Sequence, residues 1–152
     1  MHLAPNTNWS FVLLLVCATW LGCLFGVSFI ATPAKFLAPS LTLPIALDVG
    51  RHTFLVFAAF ECVALALAGI STILQRGDST YLFLVFALLV IMTAQYLGLY
   101  PSLSERTDLI LGGADSLPDS NAHHLYVALE LSKLLLLGII SLKVVKLLKR
   151  QS

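Results

Sequence analysis

The chain has 152 residues, of which 59% are hydrophobic and only 11% are charged, with a formal net charge of +1. Soluble domains carry about 25% charged residues, so this composition argues against a soluble protein, and the balanced charge argues against a nucleic-acid partner. The length allows one domain. Cys17, Cys23 and Cys62 lie in apolar stretches without a CxxC pattern, so we interpret them as packing residues rather than as a disulfide framework.

Four long apolar stretches predict an all-α polytopic membrane protein, a four-transmembrane-helix bundle that forms a single domain over residues 1–152. The predicted spans cover residues 9–31, 52–75, 81–100 and 123–145. The turn between the second and third spans is so short that these two spans must be antiparallel neighbours. Three tyrosines near the ends of the third span are typical of the membrane interface: Tyr81, Tyr96 and Tyr100.

The first span lacks the basic start and the small-residue cleavage site of a signal peptide, so we expect it to be retained. It contains Gly22 and Gly26, a GxxxG spacing that lets another helix approach closely. We expect these glycines to pack against a helix of the same fold rather than against a second copy.

Two longer connections are predicted outside the spans. Pro33, Pro39 and Pro44 prevent one continuous helix over residues 32–51, whose apolar side chains favour a re-entrant or interfacial loop. Asp48 and Arg51 are three residues apart and are expected to pair. Residues 101–122 form the second loop, which is the most acidic part of the chain.

The distribution of charge predicts the orientation. The tail and the short turn hold five basic residues, whereas the two longer loops hold three basic residues among five acidic ones. Basic residues remain on the cytoplasmic side, so we expect both termini in the cytoplasm and both longer loops outside the cell inner (plasma) membrane. The basic residues that decide this are Arg76, Lys143, Lys146, Lys149 and Arg150.

The last span is unusual because it contains charged residues. A charge at the centre of a membrane helix costs about 2.5–3.5 kcal/mol, so Glu130 and Lys133 are expected to face protein. They are three residues apart and can pair, with Glu61 of the second span as a further acceptor or as a protonated carboxyl group. Side chains of similar depth predict an outward-facing polar pocket: Glu61, Gln95, His123, Tyr126, Glu130 and Lys133.

This pocket leaves three functions open. The first is binding or transport of a small solute, a proton or a cation. The second is a structural or accessory subunit of a membrane complex, in which the polar groups fix helix packing, and the third is a small membrane enzyme. Besides the lipid bilayer, the expected partners are further copies of the chain or a membrane subunit.

The motif searches favour neither a metal nor a cofactor. His123 and His124 are weak ligand candidates, because adjacent residues on a helix point about 100° apart. The Glu-x-x-His spacing of di-iron bundles does not occur, and neither do a GxSxG, a P-loop or a GxGxxG motif. We therefore expect no cofactor and assign no catalytic residue.

Three stretches carry a resemblance: WLGCLFGVSFIATPAKF, LDVGRHTFLVFAAFECVALAL and HHLYVALELSKLLLLG. Together they resemble small uncharacterised bacterial four-helix membrane proteins of a domain-of-unknown-function family, distantly similar to the transmembrane protein 205 group. The shared pattern includes Gly50, Arg51 and Phe54 at the start of the second span and histidines at the start of the last. The resemblance covers about half the chain and implies a four-helix membrane fold, without an activity. One departure from the shared pattern is Lys133, which follows Glu130 by three residues in the last span.

Overall fold

The computed structural model describes residues 6–76, 78–114 and 121–151. Four helices in these ranges are long and apolar enough to cross a membrane: Thr7–Phe36, Leu43–Leu74, Ser79–Leu111 and Ala122–Gln151. All secondary structure in the described ranges is helical. The predicted all-α, four-helix fold is therefore confirmed, and the chain has the architecture of a multi-pass membrane protein.

Two of the four spans contain a π-helical segment. The first span consists of α1 (Thr7–Phe25), π1 (Gly26–Ala31) and α2 (Thr32–Phe36). The second is α3 (Leu43–Leu74), and the fourth is α6 (Ala122–Gln151). The third consists of α4 (Ser79–Thr93), π2 (Ala94–Leu99) and α5 (Tyr100–Leu111).

The predicted loops 32–51 and 101–122 were too long, because helix continues through much of both. Pro44 lies in the first turn of α3, where its missing N–H is not needed. Pro33 and Pro101 lie in the first turns of α2 and α5, which extend the first and third spans. In the first of these predicted loops only residues 37–42 are not helical. Asp115 and Asp119 of the second loop lie outside the described residues.

The π-helices explain how the chain passes these prolines. A proline inside an α-helix lacks a donor and clashes with the carbonyl four residues earlier. In both spans a wider turn ends just before the proline, with the Thr32 N–H on the Val27 carbonyl and the Tyr100 N–H on the Gln95 carbonyl. Such π turns shift the helix register and often occur at functional sites.

The ends of the bundle are tied together by polar contacts. The Asn6 N–H donates to the Gln75 carbonyl at 2.8 Å, and the Thr7 hydroxyl donates to the Gln151 side chain at 3.1 Å. We call this the inner end. At the opposite, outer end Arg51 contacts Asp108 of the third span, and it lies 2.8 Å from Asp48, as predicted.

The core is built from stripes spaced alternately three and four residues apart, the pattern of helices packed at a shallow angle. In α6 the buried stripe comprises Tyr126, Glu130, Lys133, Leu137, Ile140 and Val144. In α1 it comprises Leu13, Cys17, Trp20 and Leu24, which pack mainly against α6. Charged residues thus occupy core positions of one continuous apolar seam.

The side surface of the bundle, which faces lipid, is apolar. Val56, Phe83 and Leu135 are 75%, 69% and 69% exposed. Gly22 and Gly26 also lie on this surface, and a Cβ built on either would meet nothing within 4 Å. The expectation that these glycines pack within the fold is therefore wrong, because α1 buries the face that carries Trp20 instead.

Candidate functional site

Lys133 lies at the centre of a buried polar cluster near the middle of the bundle. Its ammonium Nζ is 2.7 and 2.9 Å from the two carboxylate oxygens of Glu61 and 3.0 Å from Oε1 of Glu130. All three side chains are at most 1% exposed. Lys133 therefore contacts both carboxylates that were predicted as its partners, and its contact with Glu61 joins α6 to α3.

Glu61 is surrounded by hydrogen-bond donors. The Trp20 indole N–H donates to Oε1 at 2.9 Å, and the Tyr96 hydroxyl donates to Oε2. Together with the two contacts from Lys133, these bonds use both oxygens of the carboxylate. Indole and ammonium groups can only donate, so this environment stabilises Glu61 as an anion.

Glu130 has partners of a different kind. Gln95 Nε2 donates to Oε1 at 3.0 Å, and the Ser28 hydroxyl donates to Oε2 at 3.1 Å. A hydroxyl can donate or accept, and an amide that turns over presents its oxygen instead of its nitrogen. Both partners can therefore remain hydrogen-bonded to Glu130 whether it is a carboxylate or a protonated acid.

Two buried oxygens beside Glu130 have no hydrogen-bond partner in the described part of the chain. They are Oε1 of Gln95 and the hydroxyl of Tyr126. Buried polar atoms are nearly always paired, with protein or with water. The unpaired oxygen of Gln95 is also the acceptor that a protonated Glu130 would need.

The cluster is enclosed rather than open. Of the six predicted pocket residues, the structure brings five together: Glu61, Gln95, Tyr126, Glu130 and Lys133, all at most 6% exposed. His123 does not join them, since it lies at the exposed start of α6 with its ring 6.1 Å from that of His124. The described residues contain no group of three His, Cys, Asp or Glu side chains placed to hold a metal ion.

Three members of the cluster were missed in the sequence: Trp20, Ser28 and Tyr96. Tyr96 was interpreted as an interfacial ring, but its hydroxyl reaches Glu61 because π2 places it beside Gln95. Trp20 could have been found, because tryptophan usually lies at the membrane interface and this one lies in the middle of a span. A lone serine in an apolar span carries no comparable signal.

An open groove lies elsewhere, on the lipid-facing side of the outer half. It has a volume of about 590 Å³ and is lined by seven side chains of α3 and by Val27 of π1. None of the clustered polar residues lines it. The polar cluster and the groove are thus separate features of the bundle.

Comparison of the chain with protein-family models, with curated proteins and with solved structures found no match. The resemblance to the domain-of-unknown-function family therefore remains a prediction.

Proposed function

We propose that the protein is an inner-membrane protein, with both termini cytoplasmic, that takes up and releases a proton at Glu130. The observation that carries this proposal is a surplus carboxylate: the described core buries two carboxylates, Glu61 and Glu130, against the single ammonium of Lys133. With all three ionised the cluster carries a charge of −1. Buried uncompensated charge is costly, so such a cluster favours the binding of one positive charge.

The partners of the two carboxylates support Glu130 as the group that is protonated. Both oxygens of Glu61 accept from the Lys133 ammonium, which cannot accept, so a proton on either oxygen would oppose one donor to another. The ammonium contacts only Oε1 of Glu130, which leaves Oε2 with the Ser28 hydroxyl. Protonation of Glu130 would need only rotation of the Ser28 hydroxyl or of the Gln95 amide. Four oxygens of Glu130, Gln95, Ser28 and Tyr126 also suit a small hard cation, so sodium is the competing ligand.

Ser28 supports exchange of this proton with the outer side. It is the partly exposed partner of Glu130, whereas Gln95 is fully buried. Towards the inner end α6 contributes only apolar side chains to the core, Leu137, Ile140 and Val144, before the buried polar residues of the inner end are reached: Ser10, Ser71, Thr72 and Gln75. Movement of a proton across the membrane therefore requires a rearrangement, a further copy of the chain or a partner subunit.

Infrared difference spectroscopy in lipid tests the proton directly. We expect the wild-type protein to show the band of a buried carboxylic acid that disappears as the pH rises, and Glu130→Gln to lack this band. Glu105→Gln, which changes an exposed carboxyl group on α5, is the matched control and should leave it unchanged. A protein without such a band, or one in which only Glu61→Gln removes it, would refute the assignment.

Flux into vesicles separates binding from transport. With an imposed membrane potential and a trapped pH indicator, proton entry that is lost in Glu130→Gln supports transport. Entry that depends on sodium instead would identify a cation site. A titrating band without flux would restrict the function to proton binding.

The second candidate function is that of an accessory subunit, and the closure of the cluster favours it. Both carboxylate oxygens of Glu61 and both of Glu130 accept hydrogen bonds from other side chains of the chain. A network that fixes helix packing requires such pairing. Co-purification from native membranes with a stoichiometric membrane partner, together with no proton-dependent signal, would support this alternative.

A further inference from the structure

We propose that the groove on the outer half is a binding site for one phospholipid with a primary ammonium headgroup, such as phosphatidylethanolamine. The inference is independent of the proton site, because the groove and the polar cluster share no residue. It depends on the shape of the groove, on the polarity of its outer end and on the acceptors found there.

The groove has the length of one acyl chain in one leaflet. Its lining on α3 runs from Asp48 to Phe60, a rise of twelve residue steps or about 18 Å of helix. One leaflet of the hydrocarbon core is about 15 Å deep, so the groove extends from the headgroup level to about the middle of the bilayer. A water-soluble ligand would not need this depth.

The deeper part of the groove is suited to an alkyl chain. Phe57 forms a buried floor and is stacked on Phe60, with ring centroids 5.6 Å apart. Val49 and Val56 stand beside it at 46% and 75% exposure, and Val27 of π1 closes the other side. These surfaces are apolar and face lipid, so an acyl chain is the chemistry that fills them.

The outer end of the groove offers acceptors for an ammonium group. Arg51 and His52 both contact Asp48 at Oδ1, and Oδ2 has no partner among the described residues. The Nδ1 atom of His52 lies 3.0 Å from the Asp48 carbonyl and donates to it, so Nε2 is the nitrogen that can accept from a ligand when the ring is neutral. Asp48 and His52 are exposed enough, at 41% and 66%, to receive a ligand.

Positive charge for the lipid phosphate lies at the same level. The Lys35 ammonium occupies the position that a Cβ on Gly50 would take, so it lies directly against α3 two residues beyond Asp48. Lys35 has no carboxylate partner in the described part of the chain. A zwitterionic headgroup matches this arrangement of a carboxylate beside an ammonium.

Native mass spectrometry with competing lipids tests the headgroup on the unaltered protein. Equal amounts of phosphatidylethanolamine, phosphatidylcholine and phosphatidylglycerol are offered to delipidated protein. We expect one tightly retained lipid, with phosphatidylethanolamine preferred over phosphatidylcholine by about tenfold, or about 1.4 kcal/mol. Equal retention of the three lipids would show only bulk lipid in the groove, and preference for the anionic lipid would overturn the headgroup assignment.

Two pairs of variants test the location. Val56→Trp fills the groove and should abolish retention, whereas Val63→Trp, at a site on α3 that is 60% exposed and outside the groove, should not. Asp48→Asn should remove the preference for the primary ammonium but keep retention of a chain. Asp108→Asn, which frees Arg51 in the same way without altering the groove, should keep both. Identical behaviour within either pair would refute the site.

Discussion

Lys133 and Glu61 are 72 residues apart in the chain, yet the ammonium of Lys133 lies within 2.9 Å of both carboxylate oxygens of Glu61. The contact joins α3 to α6 at the depth where π1 and π2 supply Ser28 and Gln95 to the second carboxylate. Charged side chains thus connect α3 to α6 near the middle of the bundle, within a core whose other α6 residues towards the inner end are apolar.

Lys133→Met should be the most destabilising single substitution in the cluster. It leaves two buried carboxylates without a cation, and removal of one partner from a buried ion pair costs about 3–5 kcal/mol. Unfolding in lipid, followed by steric trapping, measures this free energy. Addition of Glu130→Gln to Lys133→Met should restore part of the stability, since one of the two repelling charges is removed. A double variant as unstable as the sum of the single ones would contradict a charge-based origin.

Glu130→Gln alone should be mild. The ion pair of Glu61 with Lys133 remains and has no net charge, and a glutamine at position 130 can bond both to Ser28 and to Gln95. We expect the free energy of unfolding to stay within about 1 kcal/mol of the wild-type value, the size of one neutral hydrogen bond. Glu61→Gln should cost more, because its amide nitrogen would face donors. The reverse order in the same assay would exchange the roles of the two carboxyl groups.

Trp20→Phe should cost about 1.5–3 kcal/mol, because it removes a hydrogen bond to a charged acceptor in addition to some packing. Trp9→Phe, at a half-buried ring near the inner end, is the matched control. A double-mutant cycle with Glu61→Gln separates the two contributions. The penalty of Trp20→Phe should shrink when Glu61 is no longer charged, and a penalty that stays the same would assign the whole effect to packing.

The number and type of the helices follow from composition and apolar length, and they were predicted. So was the pairing of Lys133 with Glu61 and Glu130, because three charges in lipid-spanning helices have few other partners. The passage of helix through Pro33 and Pro101 was not predicted, since it depends on π turns that have no distinct residue pattern. Ser28 and Tyr96 were missed for the same reason: the register shift that aims them at the carboxylates is a property of the folded backbone.

Replacing both Gly22 and Gly26 with leucine tests whether α1 carries an interface between copies. Because nothing in the described chain lies within 4 Å of a Cβ at either position, we expect the monomer to keep its stability. If copies associate through this face, the two leucines should weaken their association, because close approach of helices requires small residues. Single-molecule photobleaching in lipid counts the copies. Leu15→Phe, at a residue of α1 that is 62% exposed, is the control, and an unchanged copy number would refute the interface.

Asp78 should make the start of α4 sensitive to acid. The Thr80 hydroxyl donates to its carboxylate at 2.6 Å and the Thr80 N–H at 3.2 Å, and these bonds lower the pKa of Asp78 below its ordinary value of 3.8. A lowered pKa in the folded state means that the stabilisation is complete above the unfolded pKa and is lost as the pH falls through the folded one. Asp78→Asn still caps the helix but cannot titrate, so its Tm should fall less on acidification than that of the wild type. Thr80→Val should weaken the pH dependence in the same direction. Equal acid sensitivity in all three proteins would show that this cap does not contribute to it.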